Sequence, residues 1–131
     1  MKKYLFIILL FNISLYASHI QWYSNYENAH KEALKENKTL MVFLIKKNCL
    51  ECRKMLENTF MHKKYIDEVN KNFISVIITK GQENSYPIEM LYTMTYPALF
   101  FLNKEELFVG ENLFGYINPK SFKKHLDLYF K

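Results

Sequence analysis

The sequence is poor in the residues that staple or loosen a chain, with two cysteines, three glycines and three prolines in 131 residues. Two cysteines, three positions apart, exclude the multiply bridged scaffold of a small exported domain, which uses several well-separated disulfides. A bridge between them would close a loop too small to restrict the unfolded chain much, so the pair suits redox chemistry better than stability. The scarcity of glycine and proline, together with the lack of any repeat, excludes low-complexity or linker-like character. Apart from Lys46, Lys47, Arg53 and Lys54 around the cysteines, charge of one sign is not concentrated either. The formal net charge is +5, and a charge of that size spread along the chain favours solubility without defining a nucleic-acid surface. A membrane-spanning helix needs about 20 apolar residues, and the run Tyr4 to Phe11 is stopped by Asn12 and broken again at Ser14.

What is present begins with a leader. Lys2 and Lys3 precede the apolar run, and Leu15-Tyr16-Ala17 offers a small residue at a cut. The pattern is that of a secretory signal peptide over residues 1–17, with an uncleaved membrane anchor as the alternative. Cleavage would leave one domain, residues 18–131, exported to the periplasm or secreted and not integral to a membrane. Loss of two lysines and no acid would take the charge from +5 to +3. Half the residues are hydrophobic and 17% are aromatic, which is enough to fill one compact core.

Within that domain, Ser24 and Glu27 have capping-box spacing ahead of Tyr26, Ala29, Ala33 and Leu34. Asn37 suits the left-handed end of such a helix, so one is predicted from Asn25 to Glu36. Thr39 to Ile45 is a continuous apolar run with β-branched members, the mark of a strand buried on both faces. Asn48-Cys49-Leu50-Glu51-Cys52 follows directly, and then Met55, Leu56 and Phe60 at helical spacing. Tyr65, Ile66 and Val69 mark another helical stretch, and Phe73 to Ile78 a second strand. Gly81 to Tyr86 reads as a loop, and Pro87 as the start of a helix carrying Ile88, Leu91 and Met94. Pro97 opens a third strand, Ala98 to Leu102. Residues Asn103 to Glu106 would turn the chain into a short fourth, Leu107 to Val109. Asn118-Pro119 starts a last helix with Phe122, Leu126, Tyr129 and Phe130 on its apolar face. The order predicts an α/β fold, a small mixed sheet of about four strands covered by helices.

The cysteines therefore sit where a strand gives way to a helix. A dithiol that exchanges disulfides needs one sulfur able to reach solvent as a thiolate, and a second close enough to resolve the mixed disulfide. Cys49 at the helix start, where the dipole favours an anion, fits the first role, and Cys52, one turn inside, the second. Leu50 and Glu51 between them would tune the couple. An anion beside a thiolate opposes the dipole and the nearby Lys46, Lys47 and Arg53, which places the couple nearer a reductant than a strong oxidant.

The strand, the Cys-x-x-Cys of Cys49 and Cys52, the helix after it and the later strand opened by Pro97 resemble the thioredoxin superfamily over nearly all of 18–131. Trp22, the segment Ala29 to Lys38, Cys49 to Arg53 and Tyr92 to Phe101 are most similar to exported proteins related to the carboxy-terminal domain of the transmembrane disulfide-reducing carrier. The resemblance implies a three-layer thioredoxin-like fold and a cis Pro97 lying against the disulfide. It also implies that the backbone at Tyr96 pairs with an extended substrate segment. The partners it implies are client protein thiols and disulfides, such as apocytochromes or misoxidised secreted proteins, and an upstream dithiol protein as electron donor. No nucleotide, flavin or metal cofactor is called for by these residues. The chain departs from the pattern at Phe43, where thioredoxin carries a buried acid, at Asn48-Cys49-Leu50-Glu51-Cys52 in place of Trp-Cys-Gly-Pro-Cys, and at Tyr96, where a smaller residue is usual.

Several plainer readings stand beside these. The pair as zinc ligands lacks a second Cys-x-x-Cys and a close histidine pair, and His62 as a third ligand competes with a solvated or capping role. His19, His30 and His125 read as surface or half-buried. Pro97 could be a strand-edge proline, and Tyr96 part of the core. The rival reading of the whole is a thioredoxin-like binding module with a static Cys49–Cys52 disulfide.

Overall fold

The computed structural model describes residues 19–82, 86–87 and 89–130; the leader and Ile88 lie outside them. The apolar run Thr39–Ile45 is a strand, β2 below, and its side chains explain its composition. Successive residues of a strand face opposite sides of a sheet. Leu40, Val42 and Leu44 enter one hydrophobic cluster, and Met41 and Phe43 enter another across the sheet. Both faces are covered, so no polar residue is needed on either.

In chain order the elements are β1 (Trp22–Tyr23), α1 (Tyr26–Glu36), β2, α2 (Leu50–Asn58), α3 (Lys63–Asn72), β3 (Phe73–Thr79), β4 (Ala98–Leu102), β5 (Leu113–Phe114) and α4 (Pro119–Tyr129). The sheet has five strands in the order β1-β3-β2-β4-β5. β1 and β2 run parallel to β3, whereas β4 is antiparallel to β2 and β5 to β4. Tyr26, Ala29 and Ala33 of α1 pack on one face. Met55, Ile66, Val69, Phe122 and Leu126 bring α2, α3 and α4 onto the other. This is the mixed sheet covered by helices that the order of elements predicted, in the three-layer form that the resemblance implied, with five strands in place of about four. Two of the five, β1 and β5, were not expected: β1 pairs only Trp22 and Tyr23 with Ser75 and Val76, and β5 only Leu113 and Phe114 with Leu99 and Ala98, each too short to show a periodicity.

The local signals hold with small shifts of register. Asn25, not Ser24, caps α1, its side chain accepting the Asn28 N–H at 2.9 Å. Asparagine and serine are nearly equal caps, and this start turns Tyr26, Ala29 and Ala33 inward and leaves Leu34 exposed. Asn37 ends α1 in the left-handed conformation (φ 54°), and Asn118 caps α4 by accepting the Ser121 N–H at 2.8 Å.

Two expected elements take another form. Where a helix is expected after Pro87, the described residues form turns, and Leu91 N–H donates to the Pro87 carbonyl. The Thr93 hydroxyl donates to the Thr95 carbonyl and accepts the Thr95 N–H, and such local bonds compete with helix. Leu91 is buried, but Met94 is 84% exposed, so the apolar spacing does not mark one face. The expected strand Leu107 to Val109 contributes only an isolated bridge, Phe108 to Leu102. Asn103 Oδ1 accepts the N–H groups of Glu105 and Leu107 and tightens that turn. Gly110 then takes φ 70°, where an added Cβ would fall 2.7 Å from Tyr129 Cγ, and pairing with β4 resumes only at β5.

His125 is more enclosed than the surface or half-buried site expected. It is 7% exposed, its ring stacked on Phe101 at 5.0 Å and beside Tyr129 at 4.9 Å. Burial lowers its pKa, outweighing the opposing charge of Glu111. The unfolded chain therefore takes up the proton first as the pH falls. Stability from the neutral ring is complete above about pH 6.5, the ordinary histidine value, and is lost progressively below it. Melting temperatures measured from pH 7 to pH 5 should fall, and more steeply in the parent than in His125→Phe, which keeps the stacking. Equal slopes would show that His125 is not the group responsible.

Candidate active site

The sheet brings the ends of three strands together at one edge. Leu44 of β2 pairs with Ala98 of β4, and Ile45 pairs with Thr79 of β3. The residues just beyond, Lys46, Lys80 and Tyr96-Pro97, are therefore neighbours, and Lys80 N–H donates to the Ile45 carbonyl at 2.7 Å. The chain leaving β2 turns sharply through Asn48 (φ 55°) into α2. Cys49 is the cap of α2, in extended conformation, and its Sγ accepts the Cys52 N–H at 3.1 Å. The two cysteines form a disulfide with their Cα atoms 5.2 Å apart.

The thiols are placed unequally. Cys49 is half-buried at the helix N-terminus, whereas Cys52, one turn in, is 3% exposed. In the reduced form a sulfur at the cap meets free N–H groups and the positive end of the helix dipole, which favour its thiolate. Leu50 stands 71% exposed between them, and Glu51 is exposed in the first turn. Lys46, Lys47, Arg53 and Lys54 are exposed around the motif.

The Tyr96–Pro97 peptide bond is cis, and Pro97 is buried, its carbonyl accepting the Gly115 N–H at 2.7 Å. Among the described residues the backbone N–H and C=O of Tyr96 have no hydrogen-bond partner. The Tyr96 ring packs against the α1-side cluster, with Lys46 Nζ 5.5 Å and Lys80 Nζ 5.6 Å from its centroid. Burial, aided by Tyr92, raises its hydroxyl above the ordinary tyrosine range. All six sequence-derived site residues thus lie on elements that meet at one edge of the sheet. Lys80 and the exposed Tyr92 were not singled out for a site. Lys80 becomes visible there only when the β2–β3 register sets it beside Lys46.

On the α2 face, Phe43 is fully buried, its ring 4.8 Å from Phe60 and 5.8 Å from Trp22. It offers no proton acceptor to Cys52. His62 caps α3 without a side-chain bond and stacks on Tyr65 at 4.3 Å. Among the described residues no three His, Cys, Asp or Glu side chains are grouped to hold a metal ion, and no helix is long and apolar enough to cross a membrane.

Comparison with known proteins is consistent with this geometry. No curated protein matches the chain in sequence. Among solved structures, the DsbH oxidoreductase superposes with a TM-score of 0.67 at 17% identity, over 85% of either chain. The oxidised carboxy-terminal domain of DsbD from Neisseria meningitidis gives 0.66 at 17% identity, over 83% of this chain and 99% of that one. A thioredoxin from Thermus thermophilus gives 0.68 at 18% identity, over 84% and 86%. At these identities the likeness is one of fold. A family model described as thioredoxin-like matches residues 21–104, a stretch that runs from β1 through the cysteine pair and β4. With more than half its length matched, the chain belongs to the thioredoxin-like family.

Proposed function

We propose that this protein is an exported thiol–disulfide oxidoreductase that reduces disulfides in client proteins through Cys49 and Cys52. The observation that carries the proposal is the unequal placement of the two sulfurs, one at the mouth of a helix N-terminus and one a turn inside it. The Cys49 thiolate attacks a client sulfur, forming a mixed disulfide and releasing one client thiolate. Cys52 loses its proton to water, since Phe43 supplies no base, and its thiolate attacks Cys49 Sγ. The second client thiolate leaves, and the protein is left as the Cys49–Cys52 disulfide. A dithiol protein then returns two electrons. The backbone of Tyr96, without a hydrogen-bond partner among the described residues and next to the cis Pro97 at the same end of the sheet as the pair, supports a role in docking an extended client segment.

Glu51, exposed in the first turn, supports the reducing direction, because an anion there works against a strongly stabilised thiolate. Equilibration with glutathione buffers tests both the exchange and its direction. The couple should equilibrate readily and sit toward the reducing end, and Glu51→His should make it more oxidising. A bond that resists glutathione and dithiothreitol would mark a static disulfide instead.

Export rests on Lys2, Lys3 and the apolar run that follows them. The mature protein should be recovered in the osmotic-shock fraction with its N-terminus near Ser18. Full-length protein confined to the membrane fraction would overturn the assignment.

A further inference from the structure

Beside Tyr96 lies a cavity of about 320 Å³ that the exchange chemistry itself does not use. Leu44 and Leu91, both buried, contribute apolar lining, and Tyr92 and Tyr96 line it as well. Lys46 and Lys80, both exposed, complete the charged part, and no carboxylate lines the cavity among the described residues. The two ammonium groups are held over one aromatic ring, at 5.5 and 5.6 Å from its centroid. Neither is paired with a carboxylate among the described residues. Two like charges gathered on one ring repel each other, and an anion entering between them is favoured by both.

Resting on the oxidoreductase reading above, we propose that this cavity selects clients, taking the carboxylate side chain of an acidic residue close to the client cysteine. The placement supplies the reason. The cavity is lined by Tyr96, whose backbone N–H and C=O have no partner among the described residues, so a client strand paired there delivers its neighbouring side chains to Lys46 and Lys80. An aspartate or glutamate lays its methylene stem against Tyr96 and Tyr92 and its carboxylate against the ammonium groups. Lys47, Arg53 and Lys54 extend the same positive sign around the cysteines. A neutral client gains only the apolar contact, and a basic one meets repulsion.

The test uses the reduced protein and fluorogenic peptide disulfides identical except for Glu, Gln or Lys on either side of the cysteine. The Glu peptide should be reduced about fivefold to tenfold faster than the Gln peptide, and the Lys peptide slowest. The preference should shrink in high salt. Lys46→Glu/Lys80→Glu should reverse the order, and Lys46→Gln/Lys80→Gln should level it. Lys120→Glu/Lys124→Glu, the same change in net charge on α4, should keep the parent's order. Equal rates on the three peptides, an order indifferent to Lys46 and Lys80, or reversal by the α4 variant would overturn the cavity's role. Failure of the parent protein to reduce any peptide would instead tell against the oxidoreductase reading.

Discussion

The Cys49→Ser variant should lose disulfide exchange down to the uncatalysed background, and Cys52→Ser should accumulate mixed disulfides with its clients. The difference follows from position. A serine at the α2 cap can still accept the Cys52 N–H, so the helix start survives while the attacking sulfur is gone. Cys52 lies one turn deeper and is 3% exposed, so it reaches Cys49 Sγ more easily than it reaches a client. Its removal leaves the first step intact and blocks resolution. Non-reducing gels of the two variants, mixed with a client disulfide, read the outcome directly. Mixed disulfides on Cys49→Ser but not on Cys52→Ser would reverse the roles of the two thiols.

Phe43→Ala should be the most damaging single change to stability away from the cysteines. Phe43 is fully buried, with Phe60 at 4.8 Å and Trp22 at 5.8 Å, and Phe60 in turn meets Phe122 of α4 at 5.4 Å. Truncation removes the ring and leaves a void between β2 and the helices that cover it. Phenylalanine-to-alanine changes in such cores cost about 3–5 kcal/mol, a large share of the 5–15 kcal/mol typical of a domain's total. For a domain of this size the melting temperature should fall by roughly 10–25 °C. Thermal and denaturant melts measure it, and a loss under about 1 kcal/mol would mean that Trp22 and Phe60 close the space.

The parts of the fold legible in the sequence are those whose signals are local. Thr39–Ile45 and Ala98–Leu102 could be bounded to the residue because each apolar run has a sharp end: Lys38 and Lys46 on one, Pro97 and Asn103 on the other. Asn118-Pro119 marked the start of α4 for the same reason. Where the sequence misled, a local pattern competed with tertiary bonds. Pro87, Leu91 and Met94 have helical spacing, yet the Thr93–Thr95 bonds and the exposure of Met94 belong to a turn. β1 and β5 pair only two residues each, so they are defined by the neighbouring strand rather than by any pattern of their own.

The sequence by itself determined that a strand runs into Cys-x-x-Cys and a helix, because apolar continuity, the cysteine spacing and the cap are read within a few residues. Phe43 was likewise legible as an apolar residue where thioredoxin carries an acid. Only the tertiary structure decided which distant residues share the pair's end of the sheet. Tyr96 and Pro97 are more than forty residues from Cys52 in the chain, and they come to the end of β2 from which α2 departs because β4 runs antiparallel to β2 with Ala98 opposite Leu44. Lys80 reaches Lys46 because β3 runs parallel to β2 with Thr79 opposite Ile45. Strand register is set by pairing across the whole sheet, and a slip of one residue would turn each of these side chains to the other face.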